Sequence, residues 1–185
     1  MVSGISTSFS RNSLKRGVVI FLLGEVITMI TLIAEPKYVI VFGVLSFLGM
    51  SMILYDLGKP LFDRIPWIIS FIISICLYYI FLDFRSGIIN LHFMQVNINP
   101  WIANREYLYP LGLTSPGFHS ADYFPLIPTF FIFLAGTALS KPIKSNKLPQ
   151  KFYTMKFPVI KTIGKHSLFI YLVHQPLILL LIGII

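Results

Sequence analysis

Hydrophobic residues fall in five long runs along the chain, and polar segments separate them. The runs cover residues 17–34, 38–55, 66–82, 123–140 and 167–185. Each is close to the roughly 20 apolar residues that a helix needs to cross a bilayer. Backbone polar groups in hydrocarbon must be paired within their own segment, so each run is predicted to be a helix. The alternation of a transmembrane barrel is absent. The pattern predicts an all-α, polytopic membrane bundle forming one domain over residues 1–185.

The first ten residues are apolar and small, but they are too few to cross a membrane and they end just before Arg11. Two interpretations are open. The segment is either the start of a signal-anchor or the cytoplasmic end of a helix whose beginning is missing. It is therefore expected to form a short helical stub before the first span. A cleaved signal peptide is not indicated, because the following apolar run is too long.

Composition narrows the class of protein. The chain is 56% hydrophobic and only 12% charged, whereas about 25% of residues are charged in soluble domains. A soluble enzyme, a disordered chain and a disulfide-built secreted module are thereby excluded. The single cysteine, Cys76, leaves no disulfide framework and no cysteine-based metal site.

The net charge of +8 would suggest a nucleic-acid partner in a soluble protein. Here all but three of the 15 Lys and Arg residues lie in segments that alternating spans place on one side. The exceptions are Lys37, Arg85 and Arg105. Because basic loops stay in the cytoplasm, the chain is predicted to be a multi-pass cell-membrane protein that binds the lipid bilayer and no nucleic acid. The 83–122 loop is predicted to be extracytoplasmic.

Two spans carry ionisable residues near their middle. Glu25 lies nine residues after Arg16, and His174 lies nine after Lys165, with Tyr171 and Gln175 on the face of His174. At a rise of about 1.5 Å per residue, both lie near the midplane of a hydrocarbon core about 30 Å thick. Ionisable groups at that depth are costly and face a bundle interior or a cavity. They form either a polar pair that sets helix register or the lining of a buried reaction or transport path.

The 83–122 loop is too long for a simple connection. Its 88–98 stretch is apolar but interrupted by polar residues, so it is expected to lie in the membrane interface. Trp101, Tyr107 and Tyr109 are its expected anchors. Asp122 is placed to cap the fourth helix. His119 is either an exposed loop histidine or a group for acid–base chemistry or sugar contact. No metal-binding spacing is present.

Three segments together resemble a known family. Gly164-Lys-His-Ser-Leu-Phe-Ile-Tyr-Leu-Val-His-Gln-Pro176 resembles the closing helix of a bacterial membrane family grouped with the heparan-alpha-glucosaminide N-acetyltransferase catalytic domain. Gly112-Leu-Thr-Ser-Pro-Gly-Phe-His-Ser-Ala-Asp-Tyr-Phe-Pro-Leu-Ile-Pro128 resembles the loop before its penultimate helix, and Val2–Ser8 the end of an early helix. The three segments occur in the family's order.

The resemblance implies a transmembrane acyltransferase that carries an acyl group from cytoplasmic acyl-CoA to a sugar or glycan acceptor on the far side. Acyl-CoA is then a co-substrate, and no permanently bound cofactor or metal is expected. A histidine general base suits attack of an amine or hydroxyl on a thioester. The basic loops suit the phosphates of CoA, although they also suit the positive-inside pattern alone.

The sequence departs from the family at its start. Members open with an additional helix carrying an Asp…Arg-Gly motif, and residues 1–16 do not match it. A truncated or partial form is therefore expected, one that is inactive or completed by a separate N-terminal piece or another copy. The catalytic histidine of the animal enzyme has no counterpart here, which leaves His174 and His119 as catalytic candidates. Glu25, Asp122, Tyr171 and Gln175 are the expected cavity-lining residues.

Two non-enzymatic functions compete with this one. The chain would act as a small transporter with Glu25 and His174 in its path, or as a structural subunit that depends on a partner.

Overall fold

The structure is a computed structural model that describes residues 1–34, 36–91, 95–99, 106–115, 117–145 and 166–182. The chain forms two compact units, one within residues 1–147 and the other within residues 148–185. The first unit contains helices α1 (Val2–Ser8), α2 (Ser13–Ala34), α3 (Val44–Arg64), α4 (Trp67–Ile80) and α5 (Leu126–Lys144), and a hairpin of strands β1 (Ile88–Asn90) and β2 (Gln95–Asn97). Short 3-10 turns cover Pro36–Tyr38, Phe84–Ser86 and Glu106–Leu111. The second unit contains α6 (Ser167–Ile182).

Among the described residues, four helical segments are long and apolar enough to cross a membrane. They are Ser13–Ala34, Val44–Arg64, Trp67–Ser86 and Leu126–Lys144. The prediction of a mostly helical chain with helices able to cross a membrane is confirmed. Helix α6 has 16 residues within the described part of the chain, so a fifth crossing over residues 167–185 stays a prediction.

Helix α3 shows the largest difference from the predicted boundaries, because it covers residues 44–64 rather than 38–55. Its start is delayed because backbone groups of Val39 and Phe42 bond to the segment before α5. Its end lies beyond the apolar run because Asp56, although charged, accepts a hydrogen bond from the Ser13 hydroxyl at the start of α2. Tertiary partners therefore determine both ends.

The 88–98 stretch, for which only a position in the membrane interface was expected, contains both strands of the antiparallel hairpin. Ile88 pairs with Asn97, and Asn90 pairs with Gln95. The pairing satisfies backbone groups of a segment that is too polar for a span. The predicted anchor Trp101 lies outside the described residues.

Small residues let the helices of the first unit approach closely. A β-carbon on Gly24 of α2 would lie 2.5 Å from the Ser46 hydroxyl of α3. One on Gly4 of α1 would meet the Phe133 carbonyl of α5, and one on Gly136 would meet the Met1 carbonyl. Close packing of small residues is how helices associate in lipid, where the hydrophobic effect does not drive them together. The stub α1 is therefore seated on α5.

One end of the first unit collects basic residues. We call it the basic end and define it as residues 8–16, 56–66 and 141–145. Lys141 donates to the carbonyls of Phe62 at 2.8 Å and Ile65 at 2.9 Å, and Lys144 donates to the carbonyl of Ser8. The described parts of the segments that alternating spans predict to share a side therefore meet at one end, and the 39–42 and 120–124 segments pair at the other.

Candidate functional site

Two loop segments join at the end of the first unit opposite the basic end. The Ala121 amide donates to the Val39 carbonyl at 3.0 Å, and the Phe124 amide donates to the Phe42 carbonyl at 3.1 Å. Between them, the Ser120 hydroxyl accepts from the Val41 amide at 2.9 Å and lies 3.2 Å from its carbonyl. These bonds hold the segment that carries His119 and Asp122 beside the start of α3.

Phe42 has a φ of 53°, in the left-handed region that a bulky side chain rarely adopts. Its side chain is nonetheless buried, and its ring meets the edge of Tyr109 with centroids 6.5 Å apart. Such backbone strain costs on the order of 1–3 kcal/mol and persists only where the surroundings impose it. The loop junction is thus a constrained part of the molecule.

Asp122 lies at the N-terminus of α3. Its carboxylate oxygen accepts a long hydrogen bond of 3.5 Å from the Val44 amide, where the helix dipole favours negative charge. The prediction that Asp122 caps the fourth helix is wrong, because Pro125 occupies the cap position of α5 and no side chain caps it there. The segment before α5 folds across to α3, and only the tertiary pairing reveals this.

His119 lies three residues before Asp122, and its side chain is exposed. It is therefore accessible to a molecule that approaches this end of the first unit. The structure brings its backbone to the same junction as Asp122, but the two side chains differ in burial, since Asp122 is half-buried.

An aromatic cluster supports the loop beside these residues. The Phe118 ring stacks on Tyr109 at 5.8 Å between centroids and meets Tyr123 edge-on at 4.9 Å. The Tyr123 hydroxyl donates to the Tyr109 carbonyl at 2.6 Å, and the Arg85 guanidinium lies 5.4 Å from the Tyr123 ring centroid. Burial raises the pKa of Tyr123 to about 12, partly opposed by the positive charge of Arg85. Sequence reasoning treated Tyr109 as a membrane anchor and missed this cluster, whose only sequence signal is the density of aromatic residues.

A cavity of about 260 Å³ lies between α1, α3 and α5. Its volume is slightly below the range of about 300–1,000 Å³ typical of small-molecule pockets. Val44, whose amide bonds to Asp122, and Phe124 belong to its wall. Ser3 and Thr129 supply hydroxyl groups among side chains that are otherwise apolar. The cavity therefore adjoins the loop junction and is suited to an apolar group with few polar contacts.

Glu25, which belongs to α2, and this cavity lie on different sides of α3. Its carboxylate accepts a hydrogen bond of 3.1 Å from the Ser46 hydroxyl, which is fully buried between α2 and α3. The cavity wall is formed instead by Val44, Phe47 and Leu48. Within the first unit, the structure thus brings Glu25 to Ser46 and Asp122 to Val44, and these are separate places.

Tyr171 and His174 come together on α6, as the spacing predicts. Their ring centroids are 5.0 Å apart, and the His174 Nδ1 lies 2.5 Å from the Tyr171 carbonyl oxygen. Because a carbonyl only accepts, this contact favours the tautomer with hydrogen on Nδ1, which leaves the lone pair on Nε2. The side chain of Gln175 lies outside the described part. Glu25 and His174 belong to different units, so their meeting across the bundle stays a prediction.

Within the described ranges, no three His, Cys, Asp or Glu side chains cluster closely enough to hold a metal ion.

Comparison with known proteins identifies a family. The sequence model of a family described as "Heparan-alpha-glucosaminide N-acetyltransferase, catalytic" matches residues 1–176. No curated protein matches the chain, and no solved structure matches it. The matched range includes the loop junction, Glu25, and Tyr171 and His174 of α6.

Proposed function

Since the chain belongs to the family of heparan-alpha-glucosaminide N-acetyltransferase catalytic domains, we propose that it is a membrane acyltransferase that transfers an acyl group from acyl-CoA to a sugar. The observation that carries the proposal is the length of the family match, which extends from α1 into α6 rather than over one motif. Four helices able to cross a membrane supply the setting in which such a transfer takes place.

The two ends of the first unit suit the two substrates. CoA carries anionic phosphates, and the basic end offers exposed cations to them. The opposite end offers the exposed His119 and an aromatic cluster, groups that suit a sugar. We therefore place the basic end in the cytoplasm, with acyl-CoA, and the loop junction outside the cell membrane, with the acceptor.

The chemistry needs one base. The acceptor nitrogen or oxygen attacks the thioester carbon while a histidine removes its proton. The carbon–sulfur bond then breaks, and the departing thiolate takes that proton from the histidine. His174 is suited to this task because its Nδ1 is engaged by the Tyr171 carbonyl, which leaves Nε2 as the proton acceptor. His119 is the second candidate because its ring is exposed.

The test uses the purified chain in lipid nanodiscs with acetyl-CoA and glucosamine, and it follows release of the free CoA thiol. Substitution of the catalytic base is expected to lower the rate by about 100-fold or more. His174→Gln and His119→Gln are compared with His166→Gln, which makes the same chemical change at the turn before α6 and should leave the rate unchanged. Failure of the intact protein to bind acyl-CoA, measured by its thermal stabilisation, would contradict the proposal.

One observation favours a second candidate function, a small ion-coupled transporter. Glu25 is a half-buried carboxyl group well inside a membrane-spanning helix, with the Ser46 hydroxyl as a partner. Such groups mark proton and ion paths in membrane proteins. Proteoliposomes loaded with a pH-sensitive dye should then show proton flux that Glu25→Gln abolishes. Absence of flux from the wild-type protein would eliminate this alternative.

A further inference from the structure

The basic end has far more positive than negative charge. Its cations are Arg11, Lys15, Arg16, Lys59, Arg64, Lys141 and Lys144, and its carboxylates are Asp56 and Asp63. Asp56 accepts the Ser13 hydroxyl, and Lys141 is engaged by carbonyls at the end of α3. Every other cation of this set is exposed. The surface therefore retains an excess of positive charge available to an anionic partner.

Two of these cations, from different helices, act on each other. Ser8 links the two helices that carry them: its carbonyl accepts from Lys144 of α5, its hydroxyl lies 3.4 Å from the Tyr55 hydroxyl of α3, and Lys59 follows Tyr55 by one turn of α3. The charges of Lys59 and Asp63 therefore both act on Lys144. The Lys144 ammonium is held in place by the Ser8 carbonyl. Like charges brought together by the fold repel, and an anion between them relieves that repulsion. Asp63 supplies one negative charge against these two lysines and the other cations of the basic end, so a further anionic group is favoured at this point.

The same surface exposes apolar groups beside its charges. Phe9 is 53% exposed, and the Lys144 ammonium lies 5.4 Å from the centroid of its ring. Along α2, the exposed Leu14 and Val18 share a face with Lys15. A long cationic side chain beside apolar residues is typical of a helix end at the boundary between lipid tails and head groups. The partner that fits has an anionic group and hydrocarbon in one molecule.

We propose that the basic end binds an anionic phospholipid, with the head-group phosphate between Lys59 and Lys144 and the upper part of an acyl chain against Phe9. A soluble phosphate satisfies the lysines but not the exposed ring. A zwitterionic lipid brings its own positive charge to a surface that already has an excess of it. Basic pockets at the ends of membrane helices bind anionic head groups for these reasons.

The experiment counts retained lipids. The intact protein is reconstituted in nanodiscs with equal amounts of phosphatidylglycerol and phosphatidylcholine, released in the gas phase, and weighed with its bound lipids by native mass spectrometry. Phosphatidylglycerol should be enriched on the wild-type protein. Each Lys or Arg near an anionic surface is worth roughly a fivefold change in binding, so Lys59→Gln should lower the enrichment about fivefold and the double change Lys59→Gln with Lys144→Gln roughly 30-fold.

Two controls separate charge from structure. Lys37→Gln makes the same change at an exposed lysine of the opposite end, and it should leave the enrichment unchanged. Lys144→Arg keeps the charge, so it should retain the lipid even where Lys144→Gln impairs folding through loss of its contact with Ser8.

Three outcomes would overturn the proposal. One is equal retention of the two lipids, and another is enrichment that Lys59→Gln and Lys144→Gln leave intact. The third is displacement of phosphatidylglycerol by inorganic phosphate at concentrations comparable to the lipid, since the site would then recognise a soluble phosphate rather than a lipid.

Discussion

At the scale of single residues, Tyr123 connects three parts of the outer loop. Its hydroxyl donates to Tyr109, its ring packs against Phe118, and Arg85 lies over its face. Its pKa is raised to about 12 from a usual value of 10, mainly by burial. The unfolded phenol therefore ionises first, so the stabilisation is complete below pH 10 and is lost as the pH rises towards 12.

We accordingly expect Tyr123→Phe to lose less stability than the wild-type protein between pH 10 and pH 12. Near neutral pH the substitution should cost about 1 kcal/mol through loss of the hydrogen bond. Thermal unfolding in detergent across this pH range measures both effects. Tyr107→Phe is the control, because Tyr107 is 67% exposed. The same pH slope in Tyr123→Phe as in the wild type would contradict the expectation.

At the scale of elements, the stub α1 stays on α5 because both helices have glycine where their backbones cross. A β-carbon on Gly136 would overlap the Met1 carbonyl, and backbone yields less easily than a flexible side chain. Gly136→Ala is therefore expected to destabilise the protein by about 1–3 kcal/mol, seen as a lower unfolding temperature in detergent. Gly117→Ala is the matched control, since nothing lies within 4 Å of a β-carbon there. Equal unfolding temperatures for the two variants would show that α1 is not packed as described.

Hydropathy predicted the existence of α2, α3, α4 and α5, because each has to present apolar residues to lipid along its length. It failed at the ends of α3, where hydrogen bonds to residues about 80 positions away determine the start. It also assigned Asp122 to the wrong helix for the same reason. The local sequence indicates which residues a segment buries, whereas the residue that caps a helix depends on which other segment packs beside the end of that helix.

At the scale of the whole molecule, the difference in positive charge between the two ends of the first unit predicts its orientation in the membrane. In a Cys76→Ser background, His119→Cys should react with a membrane-impermeant maleimide in intact cells, and Ser145→Cys should react only after permeabilisation. Both positions are exposed, so accessibility in the folded protein is matched. Labelling of residue 145 in intact cells would reverse the orientation and the placement of the two substrates.

The candidate site was predictable only in part at this scale. The spacing of Tyr171 and His174 predicted that they share a face of their helix, and residues three apart on a helix are neighbours, so their rings come together there. Equal depth in the membrane suggested a path shared by Glu25 and His174, but depth contains no information on which helix faces which. Within the first unit, Glu25 contacts Ser46 on a side of α3 away from the cavity.

The junction of the 39–42 and 120–124 segments has a consequence for biosynthesis. The ribosome synthesises α2 and α3 well before Ser120. The Val41 amide therefore has no Ser120 hydroxyl to bond while α4, the hairpin and the long loop are being made. During that interval the hydrogen bonds from the 120–124 segment, which offset the unfavourable backbone angle of Phe42, have not yet formed. The turn between α2 and α3 therefore reaches its final form late, and a nascent chain released before residue 124 has that turn open to proteases.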